Sequence, residues 1–390
     1  MTGTDRRSLV QDRFAQVFGG QPTHWVQAPG RVDLMGSHTD YNQGYVLTMS
    51  IDRSTWIAAR PRPDRVVAID SINLDARVEF SLDDIQPDPA ARWADYVKGV
   101  AHTFGAEGYA LRGFDGVIHS TVPLSSGLSS SAALEVATAM LFKELGGWVI
   151  EPLQIALLCQ RAENQFVGVN CGILDQYTSV HGQAGCAVLL DCRHLTGQAT
   201  AIDPGIQVVI CDTRFKRELS GSEYAERRAQ CEEGAAILAR HYPEIRALRD
   251  ATLAQLDAHA GNLPDEVRRR ARFIIEENQR VLDLSGALAA GDRAAIRALA
   301  AASFAGARDL YAISVPAMES MMAAMLAAPG AIGARQAGAG FGGCMVAFVE
   351  RDRVAQFIPA ARDAYQQATN REPHVYAVTA APGAGALDPA

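Results

Sequence analysis

Only three lysines, Lys98, Lys143 and Lys216, occur among the 390 residues, and none follows a glycine; the other basic residues are all arginines. The phosphate-binding pattern G-x-x-x-x-G-K-[ST] is therefore impossible in this chain, and P-loop nucleotide folds go with it. A protein of this sequence that handles a nucleoside triphosphate must cradle phosphate on some other backbone arrangement. The net charge of −8 argues against binding a phosphate backbone, so no nucleic-acid partner is expected. Seven scattered cysteines without a C-x-x-C pair indicate neither a disulfide framework nor a zinc cluster, and suit a reducing cytoplasm. No apolar run approaches the ~18 residues of a membrane span, and residues 1–7 lack the apolar stretch of a leader. The expectation is a cytoplasmic protein with no membrane partner.

At ~150 residues per domain the length corresponds to two or three domains. Alternating, turn-bounded runs predict strands at 45–49, 56–59, 65–69, 187–190, 207–211 and 344–349. Helices are interleaved from about Trp93, and the pattern is helical over 222–328. The alanine-biased stretch 286–307 carries Asp292, Arg293 and Arg297 and is expected to be one surface helix. The class is α+β. The turn at Asp203-Pro204-Gly205 marks the expected boundary, with domains at 1–204 and 205–390, and the tail beyond Pro382 is expected to fray.

Four segments carry candidate chemistry. Gly127-Leu128-Ser129-Ser130-Ser131-Ala132 precedes a helical pattern that ends at Gly146-Gly147; such a turn is either an ordinary serine cap or an anion site made by free N–H groups and the helix dipole. Gly338-Ala339-Gly340-Phe341-Gly342-Gly343 satisfies G-x-G-x-x-G, but a strand follows it where a dinucleotide fold needs a helix. It is a ligand-covering loop or a structural hairpin. Residues 31–42 crowd Arg31, Asp33, Ser37, His38, Asp40 and Asn42 together, which suits a polyhydroxylated ligand or a solvated turn. Glu163 lies on a helix opened by Pro152, and Asp175 sits among Cys171, Ile173 and Leu174; a half-buried acid there is an arginine's partner or a catalytic group.

These segments together resemble the galactokinase family of GHMP kinases. The resemblance is carried by Ala28-Pro29-Gly30-Arg31-Val32-Asp33-Leu34-Met35-Gly36-Ser37-His38-Thr39-Asp40-Tyr41-Asn42, the serine loop, Cys171-Gly172-Ile173-Leu174-Asp175-Gln176, Gly221-Ser222-Glu223-Tyr224, the Trp93–Val100 block and Gly333-Ala334-Arg335-Gln336-Ala337-Gly338-Ala339-Gly340-Phe341-Gly342-Gly343-Cys344, in the expected order. It implies an N-terminal domain like ribosomal protein S5 domain 2, a ferredoxin-like C-terminal domain, and an active site in the cleft between them. It also implies ATP-dependent phosphorylation of the C1 hydroxyl of galactose by a monomer or weak homo-oligomer. Asp175 and Arg31 would be catalytic, and Ser37, His38, Asp40, Gly172, Asp175 and Tyr224 would bind sugar. Trp93, Gly127, Leu128, Ser129, Ser130, Ser131 and Ala132 would bind ATP, and Ser131 and Glu163 would hold Mg²⁺, whose preference is for hard oxygen.

The chain departs from the family pattern at Ser37, usually Glu, at Asp33, usually Asn, at Ala337, usually Thr, and at Ser125 and Ser126, usually Gly. The shorter, neutral Ser37 implies weaker recognition of the sugar's C6 group, with L-arabinose as the alternative substrate. Ser37→Glu is expected to shift preference toward galactose. A non-catalytic sugar and ATP sensor is the remaining alternative, opposed by the intact serine loop, Glu163 and Asp175.

Overall fold

Strand-forming and helix-forming runs alternate along the chain. The structure, a computed structural model, describes residues 3–124, 126–215 and 222–388. Ser125, Lys216 and Gly221 lie outside the described residues. Two compact units result, and neither is continuous in sequence: residues 1–31, 50–182 and 382–390 form the first, and 32–49 with 183–381 form the second.

The first unit contains α1 (Gly3–Phe18), the start of β1 (His24–Met35), most of β2 (Tyr45–Pro61), β3 (Val66–Ser71), β4 (Ala76–Ser81), α2 (Asp95–Ala106), β5 (Phe114–Ser120), α3 (Ser130–Gly146), α4 (Pro152–Ala162) and α5 (Leu174–His181). β5 pairs antiparallel with β2, Thr55 opposite Ser120, and parallel with β3, Val67 opposite Phe114. Ile57, Ile69 and Phe114 meet Phe104, Leu141, Phe142 and Leu158 in one buried cluster, so α2, α3 and α4 cover that sheet face. α3 ends as its sequence requires, with Gly147 left-handed (φ 67°) at the cap.

The second unit contains the remainders of β1 and β2, then β6 (Cys186–Asp191), β7 (Thr196–Ala201), β8 (Ile206–Asp212), α6 (Ser222–Ala239), α7 (Leu253–Ala258), α8 (Asp265–Ala290), α9 (Arg293–Asp309), α10 (Pro316–Ala327), β9 (Ala331–Gln336), β10 (Cys344–Glu350), α11 (Val354–Thr369) and β11 (His374–Val378). Its four-stranded antiparallel sheet runs β11-β8-β10-β9. Val209, Met345 and Ala347 bury one face against Phe304, Met318, Met321 and Phe357 of α9, α10 and α11. β12 (Gly385–Ala386) belongs to the first unit again and pairs with β1 at Val26 and Gln27.

The structure differs from the expectations in four places. The predicted strands 45–49 and 56–59 are one strand, β2, whose first part pairs with β6 and whose second part pairs with β5. The stretch 286–307 is interrupted: Gly291 (φ 65°) terminates α8, and the Asp292 side chain accepts from the Ala295 N–H at 3.0 Å to start α9. The tail is held by β12 and by the Leu387 N–H on the Trp25 carbonyl at 2.8 Å. The turn at Pro204 is present, but the units do not follow a single cut there, because β6 pairs with residues 45–48. Among the described residues no helix is long and apolar enough to cross a membrane.

Candidate active site

In the first unit the catalytic candidates meet because β1 runs against the serine loop. A Cβ at Gly30 would lie 2.7 Å from the Leu128 carbonyl and 2.9 Å from Val122, so only glycine permits this approach. The Arg31 N–H then bonds that carbonyl at 3.1 Å. The Arg31 side chain donates Nε and Nη2 to Asp175 Oδ1, at 2.8 and 2.6 Å, and Nη1 to the Gly127 carbonyl at 2.7 Å. The Ser129 hydroxyl donates to Asp175 Oδ2. Asp175, at the start of α5, is thus held on both oxygens.

Ser129 was expected to cap α3 or to hold phosphate. It stands at the cap position, but its backbone is left-handed (φ 59°, ψ 51°) and its side chain makes no capping hydrogen bond. The hydroxyl is on Asp175 instead, and the helix start keeps its N–H groups for another acceptor. Gly127 is also left-handed, at φ 80°. Trp93, Tyr96, Leu124, Ser130, Ser131 and Leu134 line one cavity of about 270 Å³ beside this helix start. Burial and the charge of Glu163 push Tyr96 up to about 12, so its hydroxyl stays neutral.

Glu163 opens a π-helical turn, Glu163–Val167, at the end of α4, and is 5% exposed. The Ser131 hydroxyl bonds its carboxylate, and burial followed by the charge of Asp175 raises its proton affinity above the ordinary carboxylate range. Among the described residues no lysine or arginine pairs with it. A buried carboxylate and a hydroxyl, both hard oxygen donors with no protein cation between them, fit a magnesium ion. Gly172 lies in the loop that delivers α5.

The remaining sugar-binding candidates belong to the second unit. Gly36 (φ 110°) has no room for a Cβ against the Tyr45 carbonyl, 2.9 Å away, which folds residues 36–44 into a tight loop. His38 Nε2 must donate to the Ala339 carbonyl (2.9 Å), since that oxygen can only accept; Nδ1 faces the Tyr41 hydroxyl at 2.9 Å. In the neutral ring Tyr41 is the donor, so it accepts from Tyr311 (2.6 Å), and Tyr311 accepts from the Cys231 thiol (3.1 Å). The chain of donors has one direction, and it pins the signature loop to the glycine loop. That glycine loop connects antiparallel β9 and β10, the hairpin alternative. The Tyr224 ring on α6 lies 5.4 Å from that of His38, tilted by 36°, and Asp40 and Tyr224 both act electrostatically on Tyr41.

Ser37 is 3% exposed and lies inside a charge network. Its hydroxyl donates to Asp33 Oδ2 (3.0 Å) and accepts from Arg335 Nη2 (2.9 Å). Arg335, fully buried, also reaches Glu277 (3.3 Å) and Ser303 (3.1 Å), and Asp33 Oδ1 lies 3.8 Å from its Nη1. Glu135, Gln176, Tyr96 and Arg335 were given no role from sequence. Glu135 has a local signal, one helical turn after Ser131, while Tyr96, Gln176 and Arg335 lie inside motif blocks but have partners that only the fold selects.

Comparison with known proteins bears on this geometry. The galactokinase galactose-binding signature matches residues 12–61, the GHMP kinase N-terminal domain 95–183 and the GHMP kinase C-terminal domain 284–367. A galactokinase of Roseiflexus sp. (strain RS-1) is 44% identical over 376 residues, 96% of each chain. The chain belongs to the galactokinase family of GHMP kinases. A second galactokinase, from Chloroflexus aggregans, is 42% identical over the same length. The crystal structure of Lactococcus lactis galactokinase complexed with galactose superimposes with a TM-score of 0.92 at 32% identity, covering 98% of this chain and all of that one. The two-domain α+β architecture of galactokinases is therefore that of this chain.

Proposed function

We propose that the protein transfers the γ-phosphoryl group of ATP to the C1 hydroxyl of galactose, giving α-D-galactose 1-phosphate and ADP. The observation that carries this reading is the Arg31–Asp175–Ser129 constellation beside an uncapped helix start, in a chain 44% identical to a galactokinase. The oxygen of the C1 hydroxyl forms the new bond to phosphorus, the bond to the ADP oxygen breaks, and the hydroxyl proton passes to Asp175. Asp175 orients that hydroxyl as well as accepting from it. Arg31 holds Asp175 and offers positive charge to the transferring group. The backbone of Gly127, Leu128, Ser129, Ser130, Ser131 and Ala132, with the dipole of α3, takes the phosphates, and Trp93 and Tyr96 wall the base. Ser131 and Glu163 would hold Mg²⁺, which neutralises phosphate charge when bound.

In the second unit Asp40 is assigned to the sugar's C3 and C4 hydroxyls, with Tyr224 and His38 beside it; Gly172 in the first unit contributes its backbone. A cytoplasmic monomer or weak homo-oligomer, with no nucleic-acid or membrane partner, completes the reading. ADP release over a panel of galactose, L-arabinose and glucose tests it. Galactose is expected to be the preferred substrate, and a larger kcat/KM for L-arabinose would replace it. Asp175→Ala is expected to lower kcat by at least ~100-fold while sugar binding persists; near-normal turnover would refute the assignment of Asp175.

A further inference from the structure

The carboxylate of Glu163 is held from behind by a group that no part of the reaction uses. Gln176 is fully buried on α5, and its single amide nitrogen donates to two carboxyl groups, Glu163 Oε2 at 2.7 Å and Glu135 Oε2 at 2.9 Å. The Cys171 thiol donates to the same Glu163 oxygen at 3.2 Å. Glu135, on α3, is also fully buried, and its Oε1 has no hydrogen-bond partner; neither has Gln176 Oε1. Two buried acids sharing one neutral amide, with no protein cation paired to either among the described residues, are costly for stability alone.

The chemistry explains why the shared donor is an amide. A lysine there would neutralise Glu163 and compete with a metal ion, and an acid would repel it. A carboxamide fixes the carboxylate through N–H groups and leaves its negative charge unspent. The two N–H groups diverge, so anchoring one on Glu135 stops the amide rotating away from Glu163. The local backbone fits this arrangement: the π-helical turn sets Glu163 at the end of α4, and Gln176 directly follows Asp175, so one turn of α5 supplies both the reacting acid and the support of its neighbour.

We propose that Gln176, anchored on Glu135, is the positioning residue of the divalent-cation site, holding Glu163 Oε2 so that the carboxylate is presented to the metal in one orientation. This rests on the assignment of Ser131 and Glu163 to Mg²⁺. Groups that orient a ligand from behind typically change metal affinity ten- to a hundredfold when removed.

The test is Mn²⁺ binding in the presence of a non-hydrolysable ATP analogue, read from the EPR signal of free Mn²⁺, alongside the Mg²⁺ dependence of ADP formation from galactose. Gln176→Met keeps the volume and deletes the donor. It is expected to weaken Mn²⁺ binding about ten- to a hundredfold and to raise half-saturating Mg²⁺ correspondingly. Excess Mg²⁺ should return kcat to within about threefold, with the KM for galactose unchanged. Glu135→Leu removes only the anchor and is expected to move both readouts in the same direction by a smaller factor; it also serves where Gln176→Met does not fold. Mn²⁺ affinity within twofold of the unsubstituted protein in a folded variant overturns the proposal, as does a loss of turnover that Mg²⁺ does not restore. Absence of ADP formation by the unsubstituted protein would instead count against the kinase reading, so the two failures are distinct.

Discussion

At Ser129 a left-handed backbone, which costs a non-glycine residue roughly 1–2 kcal/mol, coincides with a hydroxyl bonded to Asp175. Strain that persists at such a contact belongs to the contact. Ser129→Gly is therefore expected to raise thermal stability while lowering kcat about tenfold or more, with the KM for ATP little changed; a KM effect alone would return Ser129 to the phosphates. Ser37 leads to a different outcome from that expected of its sequence. A glutamate there places a second carboxylate beside buried Asp33, with Arg335 the nearest cation. Ser37→Glu is expected to destabilise the protein, and the double change Asp33→Asn with Ser37→Glu, which returns the network around Arg335 to its original two carboxylates, one of them Glu277, to recover much of the loss. Denaturant unfolding of the two singles and the double measures this, with a coupling of about 1 kcal/mol or more. The family motifs make Arg31 and Asp175 legible because each lies in a dense local signature, whereas Glu163 is reached only through its match to the family's metal position. Arg335 lies in the Gly333–Cys344 motif, but its role is not legible there, since its partners Ser37 and Asp33 lie some three hundred positions away and only the tertiary fold chooses them.

Among elements, α1 is seated by Val10 and Phe14, buried with Ala58 and Val117, and by one buried guanidinium. Arg6 donates to His119 Nδ1 (3.0 Å), to the His119 carbonyl and to Ser54, and lies 4.2 Å over Trp56. Burial, then the nearby Arg6 charge, lowers His119 to about 4. The folded protein thus keeps His119 neutral while the unfolded chain protonates it near 6.5, so this contribution to stability is present above pH 6.5 and lost as pH falls through about 4. His119→Asn is expected to flatten the decline of Tm over that window. A decline as steep as in the unsubstituted protein would exclude His119 as its source. Most elements were legible from period and caps: α3 from its apolar spacing and Gly147, β10 from its apolar run. β2 reads as two strands, 45–49 and 56–59, and the residues between them include the polar run Asp52, Arg53 and Ser54. They fall where the strand changes partners, from β6 to β5, and pairing is not visible in a local window.

For the whole molecule, the discontinuity of both units sets what can be separated. A fragment 205–390 lacks Asp33 and Ser37 for Arg335, and all of β6 and β7, and it carries β12 without β1. It is expected to show no cooperative thermal transition by circular dichroism, whereas the full chain melts cooperatively. A sharp melt from the fragment would mean that residues 32–49 and 183–204 are dispensable to the second unit. The boundary expected at Pro204 illustrates why such divisions resist reading: turn chemistry marks where a chain can bend, while the membership of residues 32–49 depends on strands made more than a hundred residues later.

That order of manufacture matters on the ribosome. The apolar run Val46, Leu47 and Met49 emerges early, yet β6, its pairing partner, is translated only after some further 140 residues, a delay of roughly ten to thirty seconds at ordinary elongation speeds. The first unit waits longer still, because about 360 residues separate β1 from the strand that pairs with its edge, β12. Nascent chains of this protein therefore carry the unpaired apolar run 46–49 until β6 has emerged, and holding chaperones that shield it over that interval are expected to raise the yield of folded protein.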